Sequence, residues 1–143
     1  MGKFWGAIAL SVAVFLSSVN MSWAAKLVAY VDISSQTMTV KKNGKTMHRW
    51  KVSTGRKGYR TPHGTYSPKR MHKMWYSRKY NNSPMPYSIF FRGGYAIHGT
   101  NYVSRLGRVA SHGCIRLKTS NAKRLYNLTR QIGPRNMRVV IRH

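Results

Sequence analysis

Twenty-six lysines and arginines stand against one acidic residue, Asp32, in a chain of 143 residues with a net charge of +25. Ion pairs cannot hold such a chain together, because almost every cation lacks an anionic partner and like charges oppose compaction. Whatever it folds into must rest on burial of its hydrophobic residues. These make up 42% of the chain, enough for the core of one globular domain. The imbalance also excludes chemistry. There is no carboxylate pair for glycoside hydrolysis, and a Ser-His-Asp triad would depend on Asp32, far from the histidines in sequence. Carboxylate-rich calcium or magnesium sites lack ligands. The partners it implies are polyanions: nucleic acid, anionic lipid or an anionic envelope polymer.

The N-terminus sets the compartment. Lys3 opens a positive region, Phe4 to Leu16 is mostly apolar, and Ser22-Trp23-Ala24 offers small residues before a cut at Ala24/Ala25. This reads as a secretory signal peptide over residues 1–24, with one domain over 25–143 and no stable membrane span after cleavage; an uncleaved anchor is the alternative. The expected location is the periplasm or cell wall.

Along the mature chain, Leu27 to Ile33 reads as a strand, and Met38 and Val40 alternate with Thr37, Thr39 and Lys41 in a second. Asn43-Gly44 is a strong hairpin signal, because both turn positions need positive φ. Met47, Trp50 and Val52 then lie on a returning strand, and Trp50, Met47 and Met38 read as core. Thr61 to Tyr66 is a tight turn entering a short strand. Residues 69–80, crowded with cations and aromatics, read as a surface loop covering a cleft. Tyr87–Phe91 and Tyr95–Ile97 read as strands split by Gly93-Gly94, the second ending at His98. Ser120 reads as the N-cap of a helix carrying Ala122, Leu125, Leu128 and Ile132, stopped by Gly133-Pro134. Met137–Ile141 is a last strand.

The one cysteine, Cys114, lies in Ser111-His112-Gly113-Cys114-Ile115-Arg116-Leu117, and Ile97-His98-Gly99-Thr100 lies upstream. In an oxidising compartment an unpaired thiol is buried, paired between chains, or reactive. Histidines that can reach it favour a nucleophile, since a thiol needs a base or nearby positive charge to act as thiolate.

Val52-Ser53-Thr54-Gly55, Thr61-Pro62-His63-Gly64-Thr65-Tyr66, Ile97-His98-Gly99-Thr100-Asn101 and the cysteine motif follow in order, and in this the chain resembles the L,D-transpeptidase catalytic (YkuD-type) domain from about Leu27 to Ile141. The resemblance implies a mostly β, sandwich-like fold with one α-helix after the cysteine. It also implies an enzyme without cofactor or metal that acts on peptidoglycan stem peptides. Cys114 would attack the carbonyl between diaminopimelate and the terminal D-alanine. His98 would be its base, oriented by the Gly99 carbonyl, and D-alanine would leave behind a thioester. An amine of another stem, or of a protein, would resolve it. Amides at Gly113 and Cys114, with His112, would form an oxyanion hole, at roughly 3–4 kcal/mol per donor. Arg116 would orient the loop or a substrate carboxylate and favour the thiolate, with Ser111 beside it in substrate binding. Carbapenems, as acylating agents, would capture Cys114.

Other readings remain beside this one. Cys114 could be an inert buried thiol, His98 a core histidine and His112 a loop-orienting residue. A zinc site from His98, His112 and Cys114 fits by ligand type and matches no common spacing. Trp75, Tyr76 and Tyr80 could stack nucleic-acid bases, against which export argues. The same chemistry with water as acceptor would make a carboxypeptidase, and a non-catalytic cationic wall-binding protein is the reading from another class.

Overall fold

A computed structural model describes Gly2, Lys3 and residues 25–143; apart from those two residues, the expected signal peptide lies outside the described part. Its strands are β1 (Leu27–Asp32), β2 (Thr37–Lys42), β3 (Lys45–Lys51), β4 (Gly64–Tyr66), β5 (Arg70–Ser77), β6 (Ser83–Arg92), β7 (Tyr95–Thr100), β8 (Ile115–Lys118) and β9 (Met137–Arg142), with one α-helix among the described residues, α1 (Thr119–Ile132). Five strands form one sheet in the order β3-β2-β1-β9-β4, and four form the other in the order β5-β6-β7-β8. Among the described residues no helix is long and apolar enough to cross a membrane.

Alternation builds the first sheet. Leu27, Ala29 and Val31 of β1, and Met38 and Val40 of β2, are buried while their neighbours point outward. Asn43 and Gly44 take φ of 49° and 79°, the left-handed pair that a two-residue hairpin requires. The last strand, β9, returns to lie parallel to β1 with Ala29 opposite Val139. Ile89 and Phe91 of β6, Ile97 of β7 and Ile115 and Leu117 of β8 join these residues in one core. Each such side chain contributes about 1.5–3 kcal/mol of burial, which replaces the ion pairs the composition denies. The buried stripe of α1, Ala122, Leu125, Tyr126 and Thr129, has helical spacing, and the amide of Gly133 (φ +92°) closes the helix on the Thr129 carbonyl at 2.9 Å.

Four expectations need correction. Residues 69–80 form the outer strand and tip of a hairpin: β5 pairs antiparallel with β6, which begins at Ser83 rather than Tyr87. The pairing keeps one register throughout but lapses at Lys73 opposite Tyr87, where Tyr87 takes a φ of 54°, and the hairpin tip turns at Asn81 and Asn82, both left-handed. Strand β7 continues past His98 to Thr100, so the histidine lies inside a strand. The helix starts one residue before Ser120, because β8 runs straight into it and no side chain caps it. Met47 is 43% exposed, since β3 is an edge strand, whereas Met38 is fully buried and Trp50 packs partly against the core.

Candidate active site

Parallel pairing of β7 with β8 sets the site, placing His98 opposite Arg116. Cys114 immediately precedes β8, so the register that aligns the two strands also brings its sulfur beside β7. The loop before it is strapped to the segment after β3. The amides of Ala110 and Ser111 both donate to the Thr54 carbonyl (2.9 and 3.0 Å), and the Arg56 amide donates to the Ser111 carbonyl at 3.0 Å. Gln36, buried in the β1–β2 turn, holds Thr54 in place: the Thr54 amide donates to its Oε1 at 2.9 Å, and its Nε2 donates to Thr54 Oγ1 at 2.6 Å. Thr61 links both sides, accepting from the Gly55 amide at 2.9 Å and donating to the Gly113 carbonyl at 2.8 Å. Gly55 is required there because a Cβ would stand 1.7 Å from the Tyr59 carbonyl oxygen.

Cys114, His98, Gly99, His112 and Arg116 line one cavity of about 630 Å³. His98 is 6% exposed, with Nδ1 2.8 Å from the Gly99 carbonyl oxygen. A carbonyl only accepts, so Nδ1 carries the proton and Nε2 of the neutral ring keeps its lone pair. Burial pushes this imidazole down to about 4; the Gly99 bond opposes the shift and the Arg116 charge adds to it. Burial against Met85, Phe90 and Ala96 pushes the Cys114 thiol up, outweighing an Ala96 amide bond and the Arg116 charge, which favour the thiolate. Arg116 acts in the expected direction and loses to desolvation. At neutral pH the resting pair is therefore a thiol and a neutral imidazole.

That state has a stability consequence. Between pH 6.5 and 4 the unfolded chain binds a proton at His98 that the folded chain refuses, so stability falls as pH falls through that window. The loss is roughly 3 kcal/mol in all. Urea midpoints at pH 7 and pH 4.5 will differ accordingly, and His98→Gln will flatten the dependence.

The remaining expected residues divide. Ser111 is fully buried and stays away from the cavity; its hydroxyl donates to the Cys114 carbonyl at 2.6 Å and accepts from the Gly113 amide at 3.0 Å. It shapes the loop, and the Gly113 amide is thereby occupied within it. His112 is clamped: Tyr80 stacks on it (4.1 Å, 9°), Tyr59 meets it edge-on (4.8 Å), and Arg56 Nη2 lies 3.2 Å from its Nε2. Since Arg56 only donates there, Nδ1 is the protonated nitrogen of the neutral ring. Burial and the charges of Arg56, Arg116 and Lys79 push its pKa down. Tyr80 belongs to the segment expected to cover the cleft and lines the cavity there, whereas Tyr59 and Arg56 are residues of the site that sequence reasoning missed. Adjacency of Arg56 to the Val-Ser-Thr-Gly motif was the one available signal. Among the described residues, no three His, Cys, Asp or Glu side chains gather as a metal-holding group.

The family model of the L,D-transpeptidase catalytic domain (YkuD) matches residues 26–141. The chain belongs to this L,D-transpeptidase family. It is 25% identical over 115 residues to the putative L,D-transpeptidase YkuD of Bacillus subtilis, covering 78% of this chain and 63% of that one. An L,D-transpeptidase structure from Mycobacterium smegmatis superposes with a TM-score of 0.74 at 22% identity, covering 83% of this chain and 59% of that one. One from Stackebrandtia nassauensis gives 0.72 at 27%, covering 82% and 56%. The mostly β, two-sheet fold with one helix is thus the fold of L,D-transpeptidases, and the chain spans less than two thirds of each of these relatives.

Proposed function

We propose that this chain is an exported L,D-transpeptidase acting on peptidoglycan tetrapeptide stems. The observation that carries this is the shared cavity of Cys114 and His98, with the imidazole held at Nδ1 by a backbone carbonyl. A carboxylate orienter, which the composition all but forbids, is unnecessary in that arrangement.

As Sγ attacks the carbonyl between diaminopimelate and the terminal D-alanine, the thiol proton passes to His98 Nε2. Because both groups start neutral, transfer accompanies attack, and the imidazolium with Arg116 faces the negative charge forming on the carbonyl oxygen. The Cys114 amide and His112 Nδ1–H are the donors for that oxygen. The Gly113 amide serves the loop instead. The C–N bond breaks, His98 returns its proton to the leaving amine, and D-alanine departs from a Cys114 thioester. An amine of a second stem attacks the thioester, gives its proton through His98 to the sulfur, and leaves a 3→3 cross-link or an attached protein.

Product analysis with a disaccharide-tetrapeptide tests this. Dimers together with released D-alanine support the transpeptidase. Release of D-alanine without dimers would make the chain a carboxypeptidase. No turnover with salt-sensitive wall binding would leave a cationic binding protein. The base must be neutral to act, so kcat/KM should hold its value down to about pH 4 and fall below it. An acid limb near 6.5, the ordinary imidazole value, would contradict the buried base.

A further inference from the structure

Acyl transfer makes no use of the outer face of the five-stranded sheet. Register decides what stands there: Tyr30 lies opposite Thr39 on one side and Val140 on the other, and Thr39 lies opposite Arg49. Two residues along the same strands, Lys41, Lys51, Arg138 and Arg142 come to the same face. Five cations therefore surround the ring of Tyr30, which is 41% exposed and has Lys41 Nζ over it at 5.3 Å. From β3 to β9 is three strand spacings, about 14 Å, and Arg138 and Arg142 are about 13 Å apart along their strand.

The arginine heads are oriented and left charged. Arg138 Nη1 donates to the Arg135 and Met137 carbonyls (2.9 and 2.8 Å), while Arg142 donates to the Ile141 carbonyl (3.1 Å) and to Thr65 Oγ1 (3.4 Å). Asp32, the chain's sole acidic side chain, stands opposite Arg142 in the register. Its Oδ1 accepts instead from the Ser34 amide (2.9 Å), the Ser34 hydroxyl (2.6 Å) and the Ser35 amide (3.3 Å) in the β1–β2 turn. The face also lies away from the cavity. Ile89, Phe91 and Ile97 point into the core shared by both sheets, whereas Phe90 and Ala96 point the other way, against Cys114. The cavity thus opens on the outer side of the four-stranded sheet, with the core between it and the cationic face.

We propose that this face is a docking platform for an anionic polysaccharide, one whose sugars carry carboxylate or phosphate groups, and that the bound polymer leaves the cavity open. The Tyr30 ring stacks on the apolar face of a sugar, Thr37 and Thr39 offer hydroxyls to its hydroxyls, and the guanidinium forks take the anionic groups bidentately. Two other polyanions fit the face less well. A bilayer asks for apolar side chains that enter it, and Tyr30 stands among threonines and cations. Single-stranded nucleic acid asks for successive stacking rings, and this face offers one among the described residues. Because platform and cavity lie on opposite sides, glycan binding and acyl transfer can each fail without the other.

Calorimetry at about 0.15 M salt, where screening acts within about 8 Å, tests this with polygalacturonate, phosphomannan and neutral dextran. The two acidic glycans should bind and dextran should not. Arg49→Gln with Arg142→Gln, both exposed, should weaken binding at least about tenfold and reduce the slope of log affinity against log salt by about two. The control is Arg124→Gln with Arg130→Gln, which removes the same charge from the exposed side of α1, a helix resting on β6 and β7. It should change affinity by less than about twofold. Tyr30→Ala should weaken binding with the salt slope unchanged, and thermal unfolding of each variant confirms its fold. Binding of just one acidic glycan upholds the platform and names its anion. Equal losses from the two arginine pairs would reduce the platform to net charge and overturn it. So would an unchanged affinity in Tyr30→Ala, failure of both acidic glycans to bind, or tighter binding of poly(dT) or of phosphatidylglycerol vesicles than of either glycan.

Discussion

Alanine at Cys114, alanine at His98, and the two together will each reduce acyl transfer by about the same factor, on the order of 10⁴ or more. The two residues act as one unit. Without the sulfur no thioester forms, and without the imidazole a thiol raised by burial has nowhere to send its proton. Additive losses, with the double variant far below either single one, would show that the groups work independently. The resting state sharpens the expectation. In a thiolate–imidazolium pair the sulfur would react with iodoacetamide at neutral pH; here the alkylation rate should still be climbing above pH 8.5, the ordinary thiol value. A rate that levels off near pH 7 would contradict the neutral pair.

Gly113→Ala should damage both fold and activity. Gly113 sits at φ +117°, where a side chain is strained, and a Cβ would lie 2.5 Å from Tyr95 Cε1, inside any real contact distance. Backbone strain alone costs about 1–3 kcal/mol, and relief of the clash must move either Tyr95, a lining residue of the cavity, or the loop that carries Cys114. A stability loss of roughly 3 kcal/mol and a fall in Tm on the order of 10 °C are expected, with kcat reduced at least about a hundredfold because the sulfur and its amide both shift. Gly44→Ala is the control. It has φ +79° in the β2–β3 turn and nothing within 4 Å of its Cβ, so it pays strain without a clash and should leave kcat unchanged. Equal kinetic damage from the two would break the link between loop geometry and catalysis.

The contrast between two hairpins explains how far this fold was legible in sequence. The one joining β2 and β3 announces itself, because Met38 and Val40 alternate with polar residues and Asn43-Gly44 can take positive φ. The one joining β5 and β6 hides. Its cations alternate with aromatics that they stack on, as Arg70 does over Phe90 at 3.7 Å and over Trp75 at 4.6 Å, so no apolar stripe marks a strand. Pro84 and Pro86 argue against a strand as well. Asn81-Asn82, a pair tolerant of left-handed φ, was the overlooked turn signal.

The site divides in the same way. Cys114 and His98 were legible because thiol and imidazole are rare and chemically distinctive. The roles of Ser111 and of the Gly113 amide were not, since the strapping of 53–56 against 110–114 decides which groups face inward, and that is tertiary. Nor was the protonation of Cys114: Arg116 lies nearby as expected, yet burial against Met85, Phe90 and Ala96 outweighs it. Sequence names the charges and leaves their desolvation unstated.

The most direct test of the central claim is the intact mass of the chain mixed with a tetrapeptide donor and no acceptor amine, followed by peptide mapping. The account predicts a mass gain equal to the donor less D-alanine, located on Cys114 and absent from Cys114→Ala. Release of D-alanine with no adduct at any time point, or an adduct on another residue, would contradict it.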